Sequence, residues 1–259
     1  MTSLPQDSLD ILAIAAHRDD VEQTCGGTLL KAAQRGQRTG ILDLTRGEMG
    51  TRGTADDRER EANDAAKILG VAWRSALDIP DGRVENTWEN RLKVASVLRE
   101  TRPHVVILPY WKGRHPDHYT ASTLGYEACF LAGLAKLGTG TRGQGLGPST
   151  GDHFISDLAP HRPFKIIYAT LYYDIRPTFV VDISDQFEQK FASILAYKSQ
   201  FGDQEAGKDI FPAQQEIRAR VESMARFYGM LAGVTYAEPF HQKEVGLVDD
   251  VLALPVKSI

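Results

Sequence analysis

Cysteine is scarce in this chain: among 259 residues only Cys25 and Cys129 carry a thiol. That excludes a small scaffold stapled by disulfides and fits a reducing compartment. Neither cysteine has a base or cation beside it in sequence, so both read as small buried residues rather than nucleophiles. Long apolar runs are also missing, and without about 18 such residues in succession no transmembrane helix is expected. The start, Met1-Thr2-Ser3-Leu4-Pro5-Gln6-Asp7, has no basic segment leading into an apolar one. A soluble cytoplasmic protein is therefore expected. Neither sign of charge dominates: 30 Lys and Arg against 34 Asp and Glu give a net charge of -4. Such a balance provides no overall attraction to nucleic acid or to an anionic membrane, and neither is expected as a partner. The glycine fingerprint of dinucleotide binding is absent too, since Cys25-Gly26-Gly27-Thr28 does not follow Gly-x-Gly-x-x-Gly.

Two short clusters of chemistry-bearing residues are present instead, His17-Arg18-Asp19-Asp20 and His115-Pro116-Asp117-His118. The first follows Ile11-Leu12-Ala13-Ile14-Ala15-Ala16 and the second follows Val105-Val106-Ile107-Leu108-Pro109, each an apolar run of the length of a buried parallel strand. Both clusters thus sit at carboxyl ends of strands, the edge of an open α/β sheet where ligands bind. A catalytic zinc takes three protein ligands and keeps one position for water, and His and Asp side chains suit it. Residues leaving a strand point in different directions. His17 and Asp20 can therefore face a metal while Asp19 turns to its water. Pro116 suits the first turn of a helix, which sets His115 and His118 one turn apart; one can ligate while the other stays free. Asp117 is placed to hold a proton on a neighbouring imidazole.

Strand-like runs at about 11–16, 39–45, 74–79 and 104–109 alternate with helical patterns at about 23–36, 55–69, 86–101 and 117–133. The alternation predicts parallel strands with right-handed helical crossovers, a Rossmann-like three-layer sandwich of the α/β class with a mainly parallel central sheet. Strand signals resume at 165–172 and 178–183, followed by helices at about 185–200 and 213–231 and a tail ending in a short apolar run. With 42% hydrophobic residues the chain can fill one large core, and a single domain over 1–259 is expected. It is interrupted by a glycine-rich, flexible loop at about 134–163.

At the two clusters the chain resembles the PIG-L/LmbE-like deacetylases, metal enzymes that remove acetyl groups from N-acetylglucosamine conjugates. The resemblance rests on Ala16-His17-Arg18-Asp19-Asp20 with Glu22 and Gly26-Gly27, on Thr45-Arg46-Gly47-Glu48-Met49-Gly50-Thr51-Arg52-Gly53, on Arg58, Glu61 and Leu69-Gly70, on Asp78-Ile79-Pro80-Asp81-Gly82, and on His115-Pro116-Asp117-His118. It implies that His17, Asp20 and His118 are the metal ligands, for Zn2+ or for Fe2+, which suits the same donors. It further implies Asp19 as general base, His115 as the protonated partner of the oxyanion or leaving amine, and Asp117 as the support of His115. A homo-oligomer is implied as well. Arg18 stands where the family has proline, which bears on loop geometry and leaves the ligands intact. Segments Phe179 to Ser184, Tyr197 to Phe201 and Tyr236 to Phe240 resemble the bacillithiol-biosynthesis branch, whose substrate is N-acetylglucosaminyl malate.

Arg52, Glu48 and Tyr197 are the expected substrate contacts. Arg52 is placed to clamp a hydroxyl, carboxylate or oxyanion, Glu48 to bond sugar hydroxyls or to stabilise its loop, and Tyr197 to reach the substrate from above or to serve as a core or interface side chain. Arg58 and Glu61, one turn apart, read as a structural ion pair, and Asp81 reads as a turn former. Two other readings compete with a deacetylase. A two-metal phosphoesterase needs more clustered carboxylates than are visible, and a sugar-binding protein with a vestigial metal site has no use for a carboxylate at Asp19.

Overall fold

The structure is a computed structural model and describes residues 8–137, 158–171, 174–202 and 213–256. Most of the glycine-rich stretch lies outside the described residues. Seven strands form one sheet: β1 (Ile11–Ala15), β2 (Thr39–Asp43), β3 (Trp73–Ala76), β4 (Val105–Pro109), β5 (Lys165–Ala169), β6 (Phe179–Asp182) and β7 (Ala237–His241). Their spatial order is β3-β2-β1-β4-β5-β7-β6. Strands β1 to β5 pair in parallel, whereas β7 runs antiparallel to both β5 and β6. The expected three-layer α/β sandwich with a mainly parallel sheet is what forms. Helices α1 (Asp20–Gln34), α2 (Ala55–Leu69) and α5 (Phe187–Leu195) pack together on one face, and α3 (Trp88–Thr101) and α4 (Pro116–Ala132) on the other. A short α6 (Lys198–Phe201) follows α5, and α7 (Gln214–Ala232) lies against β6 and β7.

The strand order explains why the two clusters meet. From β1 the chain builds β2 and β3 to one side, then crosses to β4 on the other, so β1 and β4 flank the point where the winding reverses. A crevice opens at such a point beyond the carboxyl ends. The register Ile11↔Val105 to Ala13↔Ile107 puts the ends of β1 and β4 side by side.

Two elements differ from expectation. Strand β7 falls in what the sequence pattern gives as tail, because Glu238-Pro239 breaks the apolar run. Glu238 is nevertheless buried: it accepts from Gly27 N at 2.8 Å and Thr28 N at 2.7 Å and meets Lys190 at 2.5 Å. It thereby caps the second half of α1, which bends at Cys25. The expected single helix at 185–200 divides at Tyr197, where the side chain plunges into the core.

Beneath the first cluster lies a buried ionic knot. Arg74 bonds Asp43 through Nε at 2.9 Å and Nη2 at 3.1 Å, Glu22 at 2.6 Å, and the Arg18 carbonyl at 2.7 Å. Burial drives the Glu22 carboxyl up to about 7 against the pull of Arg74. Arg74→Leu would leave two buried carboxylates without a counter-charge, and unfolding in urea is expected to shift by about 3–5 kcal/mol. A midpoint within error of the parent would show that the knot adds nothing to stability.

Candidate metal centre

His17 leaves β1 on a loop whose carbonyls are tied down from two sides. Thr45, just past β2, donates to Ala16 O through its amide and its hydroxyl at 3.0 Å each, while the Tyr197 hydroxyl and Arg74 both donate to Arg18 O. The His17 amide in turn donates to Asp20 Oδ2 at 2.9 Å, closing a tight turn that brings imidazole and carboxylate to the same side. From the other cluster, His115 caps α4, with its Nδ1 accepting from the Asp117 amide at 3.2 Å. His118, one turn on, reaches across to the first cluster.

Three donor atoms then face one another. His17 Nδ1 and His118 Nε2 are 3.2 Å apart, His118 Nε2 and Asp20 Oδ2 3.2 Å, and His17 Nδ1 and Asp20 Oδ2 3.4 Å. Tetrahedral zinc with bonds near 2.0–2.1 Å requires donor separations of about 3.3 Å. The residues present therefore fit a tetrahedral divalent ion with its fourth position open. His115 also lies near His17, with ring centroids 4.8 Å apart. His17, His115 and His118 also offer nitrogens within 4.8 Å of one another, but the Nδ1 of His115 accepts from the helix-cap amide, whereas His17, Asp20 and His118 present donors at 3.2–3.4 Å.

The second nitrogen of His17 meets Asp117, expected beside an imidazole, and Asp81, whose part the sequence did not disclose. Nε2 lies 3.1 Å from Asp81 Oδ1 and 3.4 Å from Asp117 Oδ2, both buried. A carboxylate on the far side of a ligating imidazole fixes its tautomer and raises its basicity. Asp81 reads as a turn former in sequence because Pro80-Asp81-Gly82 carries a turn signature that masks any further role. Glu48 supports it by accepting from the Asp81 amide at 2.8 Å, while Met49 N donates to Asp81 Oδ2 at 3.0 Å. Asp117 accepts from Gly82 N at 2.8 Å and Val84 N at 3.2 Å. Its carboxylate thus serves His17 rather than His115, correcting the expected pairing.

Other residues singled out in the sequence have partners of their own. Tyr197 is fully buried, its hydroxyl also 3.0 Å from Glu22 Oε1, so it holds the metal loop from beneath and does not meet substrate. Arg52 is buried, and its guanidinium donates to Gln200 O at 3.2 Å, tying its loop to α6. Arg58 and Glu61 do not pair. Glu61 accepts from Ser199 N and Oγ at 2.7 and 2.6 Å, whereas Arg58 bonds Asp19 Oδ1 at 2.9 Å. Arg18, in the place of the family's proline, is buried and donates to Ala55 O at 3.0 Å, so the substitution binds the loop to α2. In the metal-free site, burial and the positive imidazoles of His17 and His118 hold the His115 pKa below its ordinary value. With Nδ1 accepting from the Asp117 amide, Nε2 is the ring nitrogen left to carry a proton.

Burial alone would lower the His17 pKa, but the carboxylates of Asp117, Asp20 and Asp81 outweigh it and raise it to about 12. His118 is also raised, by Asp20 against burial. The sign follows directly. A raised pKa means the metal-free site holds protons at neutral pH, and a divalent ion must displace them. Calorimetry of zinc binding at pH 7 in buffers of differing ionisation enthalpy should reveal at least about one proton released per ion, with affinity falling as pH falls. Buffer-independent heats would contradict this.

A cavity of about 30 Å³ opens beside Asp20 and His118, lined also by Lys112 and by the apolar Ala13, Val21, Cys25 and Ile107. Cys25 and Cys129 are both buried, as expected. Among the described residues no helix is long and apolar enough to cross a membrane.

Residues 12–129 match the PIG-L family, described as GlcNAc-PI de-N-acetylase. Diacetylchitobiose deacetylase of Thermococcus kodakarensis is 32% identical over 243 residues, covering 90% of this chain and 82% of the relative. Among solved structures, the conserved protein TT1542 from Thermus thermophilus aligns with a TM-score of 0.76 at 40% identity, over 93% of this chain and 98% of that one. N,N'-diacetylchitobiose deacetylase from Pyrococcus horikoshii, complexed with its inhibitor MPG, aligns with a TM-score of 0.74 at 26% identity, over 91% and 84%.

Proposed function

Because the chain belongs to the PIG-L deacetylase family, we propose that it hydrolyses the acetamide of an N-acetylglucosamine conjugate at a divalent metal, zinc by default, held by His17, Asp20 and His118. The observation that carries this reading is the donor triangle of 3.2, 3.2 and 3.4 Å beside a second, unliganded carboxylate, Asp19. A binding protein needs the first feature and not the second. Held by these residues, a divalent ion would supply an acidified water and polarisation of the acetyl carbonyl. Asp19 takes a proton from the attacking water as its oxygen bonds the carbonyl carbon. His115 Nε2–H donates to the oxygen that becomes negative. The C–N bond then breaks, the proton passes to the departing amine, and acetate is left. The cavity beside Asp20 and His118, small and apolar at its floor, suits the acetyl methyl group.

The aglycone we propose is malate. The reading rests on the segments that build β6, α6 and β7, and on Lys112 in the cavity lining, a cation for an anionic group. Acetate release from N-acetylglucosaminyl malate, diacetylchitobiose and free N-acetylglucosamine tests both levels. The malate conjugate is expected to have the highest kcat/KM and the free sugar the lowest. Preference for diacetylchitobiose would overturn the aglycone alone, whereas no acetate from any of the three would overturn the deacetylase reading.

A further inference from the structure

Two aspartates stand next to each other at the end of β1, and nothing in their chemistry says which ligates and which stays free. The surroundings do. Asp20 is drawn inward by the His17 amide and the two imidazoles. Asp19 is drawn the other way by Arg58 of α2, whose Nη2 donates to Oδ1 at 2.9 Å between side chains only 6% and 15% exposed. Gln23 Nε2 approaches the other oxygen, Oδ2, at 3.3 Å. Arg58 Nη1 also reaches Gly47 O at 3.4 Å. Among the described residues, the carboxylate within ion-pair distance of Arg58 is that of Asp19. The loop after β2 is shaped around this guanidinium: Gly47 has a φ of +71°, and any Cβ there would overlap Arg58.

We propose that Arg58 is the positioning residue that keeps Asp19 off the metal and available as a base, so that it decides how the two adjacent carboxylates divide their roles. The inference rests on the reading of Asp19 as general base. A charge-assisted bond of this length fixes the carboxylate in one orientation. Released from it, Asp19 is free to swing toward the cation that already holds Asp20. Misplacement of a reacting group by about 1 Å costs on the order of 100-fold in rate.

The test is a double-mutant cycle in the full chain. Arg58→Gln should lower kcat by roughly 100-fold with KM and metal content unchanged in the folded enzyme, and Arg58→Lys, which keeps the charge, should recover part of the loss. In an Asp19→Asn background, where no base remains to be positioned, Arg58→Gln should add no further loss. Multiplicative losses in the double variant would overturn the proposal, as would a kcat for Arg58→Gln equal to that of the parent. If Arg58→Gln fails to fold, Gly47→Ala displaces the same guanidinium and enters the cycle in its place, with the same two outcomes. Full activity of Asp19→Asn alone would instead remove the general-base reading, a failure separable from that of Arg58.

Discussion

Asp19→Asn is expected to retain about one divalent ion per chain and a native fold while turnover falls by about 100- to 10,000-fold, the range for loss of a general base. The substitution keeps the shape of the side chain and its bond from Arg58, and removes only the capacity to accept a proton. With ligation assigned to Asp20 in the proposed site, elemental analysis should give the parent's metal content. Turnover close to the parent in metal-replete Asp19→Asn enzyme would transfer the base to another group. His115, whose ring lies 4.8 Å from that of His17, would then be the first residue to examine. His115→Ala separates the two roles, since it removes the oxyanion donor and leaves the proton acceptor in place.

His118→Ala is expected to lose most of the bound metal, and with it essentially all activity. Its imidazole closes two of the three edges of the donor triangle. The remaining pair, His17 and Asp20, offers an ion two protein contacts in place of three. The drop in affinity should exceed about 100-fold, the upper end for removal of an outer partner of a metal ligand. Asp81→Asn gives the internal comparison. It touches His17 from the far side and should weaken the ion by about 10- to 100-fold without deleting a donor. Titration of the metal-free proteins with zinc, followed by competition with a chelator, ranks the three. A full metal complement in His118→Ala after chelator challenge would remove His118 from the ligand set. Equal affinities for the parent and Asp81→Asn would show that the outer carboxylate leaves the site's strength unchanged.

The parallel strands, their alternation with helices and the two clusters at strand ends were legible because each is encoded locally. Apolar runs such as Ile11 to Ala16 state burial on both faces of a strand, and Pro116 after His115 announces a helix start with its capping side chain. Strand β7 was not legible, because the charge on Glu238 reads as surface until Lys190 and the α1 amides are seen around it. Tyr197 stood open in sequence between a substrate contact and a core side chain, and only the partners of its hydroxyl, Arg18 O and Glu22, place it in the core.

What the sequence by itself determined was the chemistry available: two histidines and an aspartate to hold an ion, a second aspartate beside them, and a fold whose strand ends bring them together. Those are properties of residue type and of periodicities a few residues long. Only the tertiary structure decided how the charges are shared. That His17 is oriented by Asp81 and Asp117, that Arg58 serves Asp19 and not Glu61, and that Arg18 anchors its loop to α2 all depend on side chains from different elements meeting within about 3 Å. Electrostatic pairing in a low-dielectric interior falls off with distance and depends on the charges nearby in space. Neighbours along the chain do not specify those charges until the sheet has folded.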